Sequence, residues 1–362
     1  MKIWIVWLPN VWKSTLFNAL TQSYSADAQN FPFCTIEPNT WIVNVNDDRL
    51  EELRVAVDWS KIIPATTEFI DIAGLVKWAS TWEWLWNKFL ANIRETNAIL
   101  QVVRGFEDKD IHHVDWNIDP KRDIETINTE LIIADLELLA KKQHEYTKKA
   151  RSNDKDSIIL LEIVNNLITH LESWNLAITL GLDEEELELT TQFNLLTNKP
   201  FIYAVNLSED DVLKTESDLR ELIWVTDEKI AVVWISAKLE LDMMDLDEED
   251  KKEFLEEFGI KENPVDKLIK TAYDNLGLQY YFTAWVQEVR AWTIKKWDLA
   301  PVAAWVIHTD FQKKFIKADV VNWKDLVDHK WWSKAREEGC VKMQWKEYVV
   351  QDWDVILFKF GG

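Results

Sequence analysis

Lys13, Ser14 and Thr15 stand directly behind the loop Trp7-Leu8-Pro9-Asn10-Val11-Trp12, and the apolar run Ile3–Val6 precedes that loop. A lysine and a hydroxyl at that distance from a strand are what nucleotide phosphates require. The ammonium neutralises the β- and γ-phosphates, the hydroxyl ligates Mg²⁺, and the loop's backbone N–H groups, those of Val11 and Trp12 among them, face the anion where a helix begins. The pattern for such a loop is G-x-x-x-x-G-K-[ST], and Trp7 and Trp12 occupy its two glycine positions. Backbone approaches phosphate closely only where no side chain intervenes. An indole at either place blocks the site that the rest of the segment builds.

The partners such a loop needs follow in chain order. Asp71-Ile72-Ala73-Gly74 closes an apolar run in D-x-x-G, where the carboxylate reaches Mg²⁺ and the glycine N–H meets the γ-phosphate. Thr35 lies between the first helix and the second strand, the place of a threonine that completes the metal's coordination, so Ser14, Thr35 and Asp71 form the expected metal set. Asn206-Leu207-Ser208-Glu209 and Ser236-Ala237-Lys238 follow the fifth and sixth strands, where domains of this kind read the base. The common base reader is N-K-x-D, whose terminal Asp accepts from guanine N1–H and N2. Here Glu209 is one methylene longer and Leu207 replaces the lysine, which removes the guanine clamp and leaves Leu207 to lie against the base or ribose. Adenine lacks the N2 amine, so ATP is expected over GTP.

Hydrolysis needs a positioned water. Many related GTPases carry Gln after D-x-x-G, but Leu75 follows Gly74. Asn10 is one candidate to help, by holding a K⁺ ion near the phosphates, and a loop-stabilising hydrogen bond is its alternative role. His113, in Ile111-His112-His113-Val114, is a second, since imidazole suits water positioning near neutral pH. Without a positioned Gln, slow turnover accelerated by a partner is expected.

These groups must be held by a scaffold. Strands are expected at 2–7, 41–45, 67–71, 98–103, 201–205 and 230–235, alternating with helical segments, which reads as βαβ units and a parallel sheet. Residues 1–123 and 199–277 are expected to form this domain. Apolar spacing over 124–198 predicts two long antiparallel helices joined at Ala150–Asp156, and Asp183-Glu184-Glu185-Glu186 opens another. An acidic run from Glu240 to Phe258 reads as a solvated helix. Short alternating strands at Val286–Trp292, Ala303–Ile307, Tyr348–Val350 and Val355–Phe360 predict a small α+β domain over 278–362. The net charge of −22 argues against broad nucleic-acid binding, although Lys313, Lys314 and Lys317 offer a local contact for RNA phosphate. Cys34 and Cys340 make no metal or redox spacing. No leader and no apolar run long enough to span a bilayer is visible, so a cytoplasmic protein without membrane partners is expected.

The tryptophans are distributed unusually. The chain holds 22 Trp and 8 Gly, whereas ordinary usage predicts about 25 Gly at this length. Trp59, Trp297 and Trp353 sit in polar, turn-like contexts, and Trp78, Trp82, Trp84 and Trp86 crowd one loop-like stretch. Most of these are expected to mark positions built for glycine. Trp292, between Ala291 and Thr293, reads as an ordinary packed aromatic.

The segments Leu8-Pro9-Asn10-Val11, Phe31-Pro32-Phe33-Cys34-Thr35-Ile36-Glu37-Pro38-Asn39, Asp71–Val76, Asn87–Glu95, Tyr281-Phe282-Thr283-Ala284, Arg290-Ala291-Trp292-Thr293 and Ile307-His308-Thr309-Asp310-Phe311 resemble the YchF family of Obg-like ATPases over essentially the whole chain. The resemblance implies an α/β P-loop domain, a helical coiled-coil insertion and a C-terminal TGS-like domain, with ATP preferred, Mg²⁺ required and association with the ribosome. It also implies glycine at 7, 12, 78, 82, 84 and 86. Two readings follow: an ATPase switch acting on translation, or a nucleotide-free adaptor whose phosphate loop Trp7 and Trp12 block.

Overall fold

A computed structural model describes residues 2–7, 40–57, 61–71, 90, 93–106, 119–284 and 287–361, with Asp71 and Glu248 described in backbone only. Asn10, Val11, Trp12, Lys13, Ser14, Thr15, Thr35, Gly74 and His113, expected at the nucleotide site, lie outside the described residues, as do Cys34, Trp59, Trp78, Trp82, Trp84 and Trp86.

One six-stranded sheet comprises β1 (Lys2–Trp7), β2 (Thr40–Val45), β4 (Ala65–Asp71), β5 (Ala98–Arg104), β6 (Phe201–Asn206) and β7 (Ala231–Ile235), in the order β2-β4-β1-β5-β6-β7. β1 pairs in parallel with β4 and β5, β5 with β6, and β6 with β7. Every residue of β5 and β6 is buried, which is why these segments read as near-continuous apolar runs, broken only by Gln101 and by the polar ends Arg104 and Asn206: a parallel sheet is covered on both faces.

The helices expected over 124–198 are Pro120–Ala150 and Lys155–Glu172. Asp119 caps the first through Arg122 N, and Pro120 at its first position forfeits no hydrogen bond. Only Arg151–Asp154 separates the two, so they pack antiparallel. Ile127, Leu131, Leu139, Ile163, Leu167 and Leu171 are buried along the seam, as the apolar spacing requires. Asp183 and Glu186 form a reciprocal capping box on the next helix, Glu184–Thr191.

A second sheet has the order β11-β10-β12-β8-β9-β3, from β3 (Ile62–Ile63), β8 (Leu278–Ala284), β9 (Val289–Lys295), β10 (Phe315–Asn322), β11 (Lys342–Gln344) and β12 (Asp354–Phe360). Two expected strands are corrected here. Ala303–Ile307 is helical, as part of Ala300–Ile307: its short apolar run does not separate helix from strand, and Pro301 in the first turn favours a helix. Tyr348–Val350 contributes only an isolated bridge between Val349 and Leu299. The chain separates into two compact units. Among described residues, 2–7, 40–41 and 68–268 fall in one, while 42–67 and 269–361 fall in the other, so the second unit draws in a segment well upstream of residue 278.

Six non-glycine residues among those described hold left-handed backbone, and three are tryptophans: Trp174 (φ 62°), Trp224 (φ 58°) and Trp297 (φ 74°). Trp224 ends the helix Glu216–Ile223 in a Schellman arrangement, its N–H donating to Glu221 O and the Val225 N–H to Arg220 O. Trp174 ends Lys155–Glu172 the same way, through Leu171 O and, from Asn175, His170 O. Trp297 is the third residue of a turn closed by Asp298 N to Lys295 O. Glycine is the usual occupant of all three positions. These residues are 61%, 72% and 80% exposed, so no core packing explains them; only Trp224 has a ring contact, the Lys121 ammonium 4.5 Å from its centroid, among the described residues. Trp7, by contrast, lies in regular strand geometry and is buried. Trp292 behaves as expected, donating from Nε1 to Thr283 Oγ1 at 2.8 Å beneath the Arg290 guanidinium.

Candidate nucleotide site

The parallel register brings the carboxyl ends of five strands to one edge. Asp71 lies beside Ile5, Trp7 beside Val102, Arg104 beside Asn206, and Asn206 beside Ile235. β4 flanks β1 on one side and β5 on the other, so the direction of winding reverses at β1. Open α/β sheets bind ligands in the crevice outside such a reversal. The phosphate loop leaves the sheet there, with Asp71 one strand away, Asn206 two strands away and Ser236 three.

The two expected base-reading segments are joined by a direct bond. Asn206, fully buried, accepts from Ala237 N through Oδ1 at 3.0 Å. Leu207 N donates to Ile235 O at 2.8 Å, and Gly105 N to Asn206 O at 2.9 Å. Ser236 is buried and caps the helix Ala237–Asp242 by accepting from Leu239 N. Leu207 departs from expectation: its side chain is taken into the domain core, 1% exposed, so it stands at this edge through its backbone.

Gly105 escaped sequence reasoning because it belongs to no motif. A Cβ there would meet Val205 Cγ1 at 2.6 Å and Leu207 Cδ2 at 3.0 Å, so only glycine lets β5 and β6 close at this edge. Lys238 bonds both oxygens of Asp242 at 2.7 Å. That bond, helped by the charges of Asp242 and Glu209, raises its ammonium pKa. Glu209 opens a short 3-10 turn that ends at Asp211, whose carboxylate accepts from Ser208 Oγ. Two residues beyond Lys238, Glu240 is buried, and burial with the nearby Asp266 charge pushes its carboxyl up to about 8.

Residues 2–162 match a family profile described as 50S ribosome-binding GTPase, and residues 278–361 match YchF-GTPase_C, described as a protein of unknown function (DUF933). The chain is 47% identical over 362 residues to a Bacillus subtilis protein named ribosome-binding ATPase YchF, covering 99% of this chain and 98% of that one. It is 46% identical to the protein of the same name from Haemophilus influenzae, covering 99% of each. The chain belongs to the YchF family. The fold follows the solved Schizosaccharomyces pombe YchF GTPase with a TM-score of 0.87 at 35% identity, over 99% of this chain and 97% of that one.

In this YchF-family chain a second polar centre lies at the root of the helical insertion. Asp135, fully buried on Pro120–Ala150, accepts from Leu196 N, Thr197 N, Thr197 Oγ1 and Arg94 Nη2. Burial raises its pKa, while those donors hold it down. Arg94 also donates to Asn194 O, and Lys199 Nζ donates to Arg94 O, Thr96 O and Asn194 Oδ1. Burial, then the Arg94 charge, draws Lys199 down to about 8. Arg94 is the penultimate residue of the Asn87–Glu95 segment that carries the family resemblance, and at this residue the segment is tied to the insertion. Asp135 gave no signal in sequence: an acid beside an apolar stripe reads as solvated.

Proposed function

We propose that the chain is an Mg²⁺-dependent ATPase switch that prefers ATP to GTP and associates with the ribosome. The observation that carries this is the Asn206–Ala237 bond at the carboxyl edge of the sheet, which holds two base-reading segments together on the same edge as the end of the strand that feeds the phosphate loop, two strands away. In this reading residues 1–123 and 199–277 bind nucleotide, 124–198 form the insertion and 278–362 a TGS-like domain.

Asn10, Val11, Trp12, Lys13, Ser14 and Thr15 form the phosphate cradle, with Lys13 neutralising charge. Ser14, Thr35 and Asp71 offer a hydroxyl, a second hydroxyl and a carboxylate, a hard-oxygen donor set of the kind Mg²⁺ takes. The metal supplies charge neutralisation of the phosphates when bound. Gly74 meets the γ-phosphate, His113 orients water, and Asn10 holds K⁺. Asn206, Glu209, Ser236, Ala237 and Lys238 surround the base. ATP preference rests on Glu209 in place of Asp, and on Leu207, whose burial leaves no lysine-like stem over the base.

A second reading, a nucleotide-free adaptor, is favoured by Trp7, whose indole is buried at the end of β1 where the loop starts. Titration calorimetry with Mg²⁺-ATP, competed by GTP, on the chain and on Trp7→Gly/Trp12→Gly separates the two. Binding by the double variant alone shows that the indoles occlude a working site. Binding by neither protein ends the ATPase reading, and a clear preference for GTP ends the base assignment.

A further inference from the structure

Glu240 lies on the six-residue helix Ala237–Asp242, which also carries Ala237 and Lys238 of the second base-reading segment. Its backbone N–H donates to Ser236 O at 3.1 Å and so closes the first turn of that helix. Ser236 precedes Ala237, whose N–H makes the 3.0 Å bond to Asn206 Oδ1. One hydrogen bond and one peptide unit therefore separate Glu240 from the tie between the two base-reading segments. Leu239 and Met243 seat the helix on Val212, Leu255 and Ile260, all buried.

The Glu240 side chain has no part in those bonds. The residue is 2% exposed, and its Oε1 has no hydrogen-bond partner among the described residues. Two charges from neighbouring helices act on it, Asp266 of Pro264–Asn275 and Lys251 of Glu248–Glu257. On its own helix Lys238 is engaged by both oxygens of Asp242. A carboxylate buried in this way is costly, whereas the neutral acid fits. Once ionised, the group must reach water. A helix of fewer than two turns gives it little length over which to do so without disturbing the turn closed on Ser236.

We propose that Glu240, held neutral by burial, is a positioning residue for the base-reading segment Ser236-Ala237-Lys238, so that its ionisation weakens nucleotide binding. This rests on the nucleotide reading above and adds a proton to it. Binding favours the neutral acid, so the complex holds that proton more firmly than the free chain, and affinity falls as pH rises through about 8.

The test is titration calorimetry with Mg²⁺-ATP from about pH 7 to about pH 9, on the full chain carrying Trp7→Gly/Trp12→Gly, in buffers of different ionisation enthalpy. Affinity is expected to fall about fivefold across that range at unchanged stoichiometry, with proton uptake on binding, the change for one carboxyl held about one pH unit more firmly in the complex. Glu240→Gln, which copies the neutral acid, should flatten the profile. Asp266→Asn should bring the fall to lower pH and Lys251→Gln should push it to higher pH, opposed shifts that a purely structural role does not produce. A pH-independent affinity in the parent, or the same slope in Glu240→Gln, overturns the proposal and leaves the ATPase reading standing. Absence of ATP binding at every pH ends both.

Discussion

Three tryptophans hold a backbone that L side chains adopt at a cost of about 1–2 kcal/mol each. Trp224→Gly and Trp297→Gly are therefore expected to raise stability by up to ~1 kcal/mol apiece, after the entropy glycine adds to the unfolded chain; urea denaturation reads this as a higher midpoint at constant slope. Trp292→Gly, which removes a packed and hydrogen-bonded ring, is expected to destabilise. Glu240 gives a pH signature. Its carboxyl titrates near 8 when folded and near 4.5 when unfolded, because burial and Asp266 disfavour the anion more than Lys251 favours it. The folded chain then keeps a proton that the unfolded chain releases, so stability falls as pH rises from about 4.5 to about 8. Glu240→Gln should melt close to the parent at pH 5 and above it at pH 8.5. A parallel pair of melting curves across that range would refute the assignment.

At the scale of elements, the insertion is fastened by one carboxylate. Asp135→Ala leaves Leu196 N, Thr197 N and Arg94 without their buried acceptor, and removing one side of such a pair costs about 3–5 kcal/mol. Guanidinium unfolding should show that loss, with Asp135→Asn recovering part of it. Elements were legible where burial shapes the sequence: β5 and β6 are wholly buried and apolar except for Gln101, Arg104 and Asn206, and the helix pair repeats its seam. They were illegible where short runs fit two geometries, as at Ala303–Ile307. The site followed the same rule. Asn206 and Ser236–Lys238 are recognised by spacing alone, whereas Gly105 and Asp135 matter through neighbours about 100 and 60 residues away, a distance no local pattern reports.

For the whole molecule, two compact units and an uneven charge define what to measure. Ligand that binds only the folded state adds stability by mass action, about 2.7 kcal/mol at one hundred times Kd. Mg²⁺-ATP is accordingly expected to raise the melting temperature of the nucleotide-binding unit in Trp7→Gly/Trp12→Gly. Calorimetry that resolves two transitions would show the second one unmoved, since Ile269–Gly361 holds none of the proposed nucleotide ligands. A single shifted transition would instead mean that the units unfold together. No described helix is long and apolar enough to cross a membrane.

The left-handed turns at Trp174, Trp224 and Trp297 bear on what the protein carries at those positions. Glycine there would relieve three strained turns, and glycine at 7 and 12 would clear both ends of the phosphate loop. Peptide mass spectrometry of the protein made in its own cells decides it. Glycine at 7, 12, 174, 224 and 297 with tryptophan kept at 292 would mean that one exchange restores both the turns and the loop.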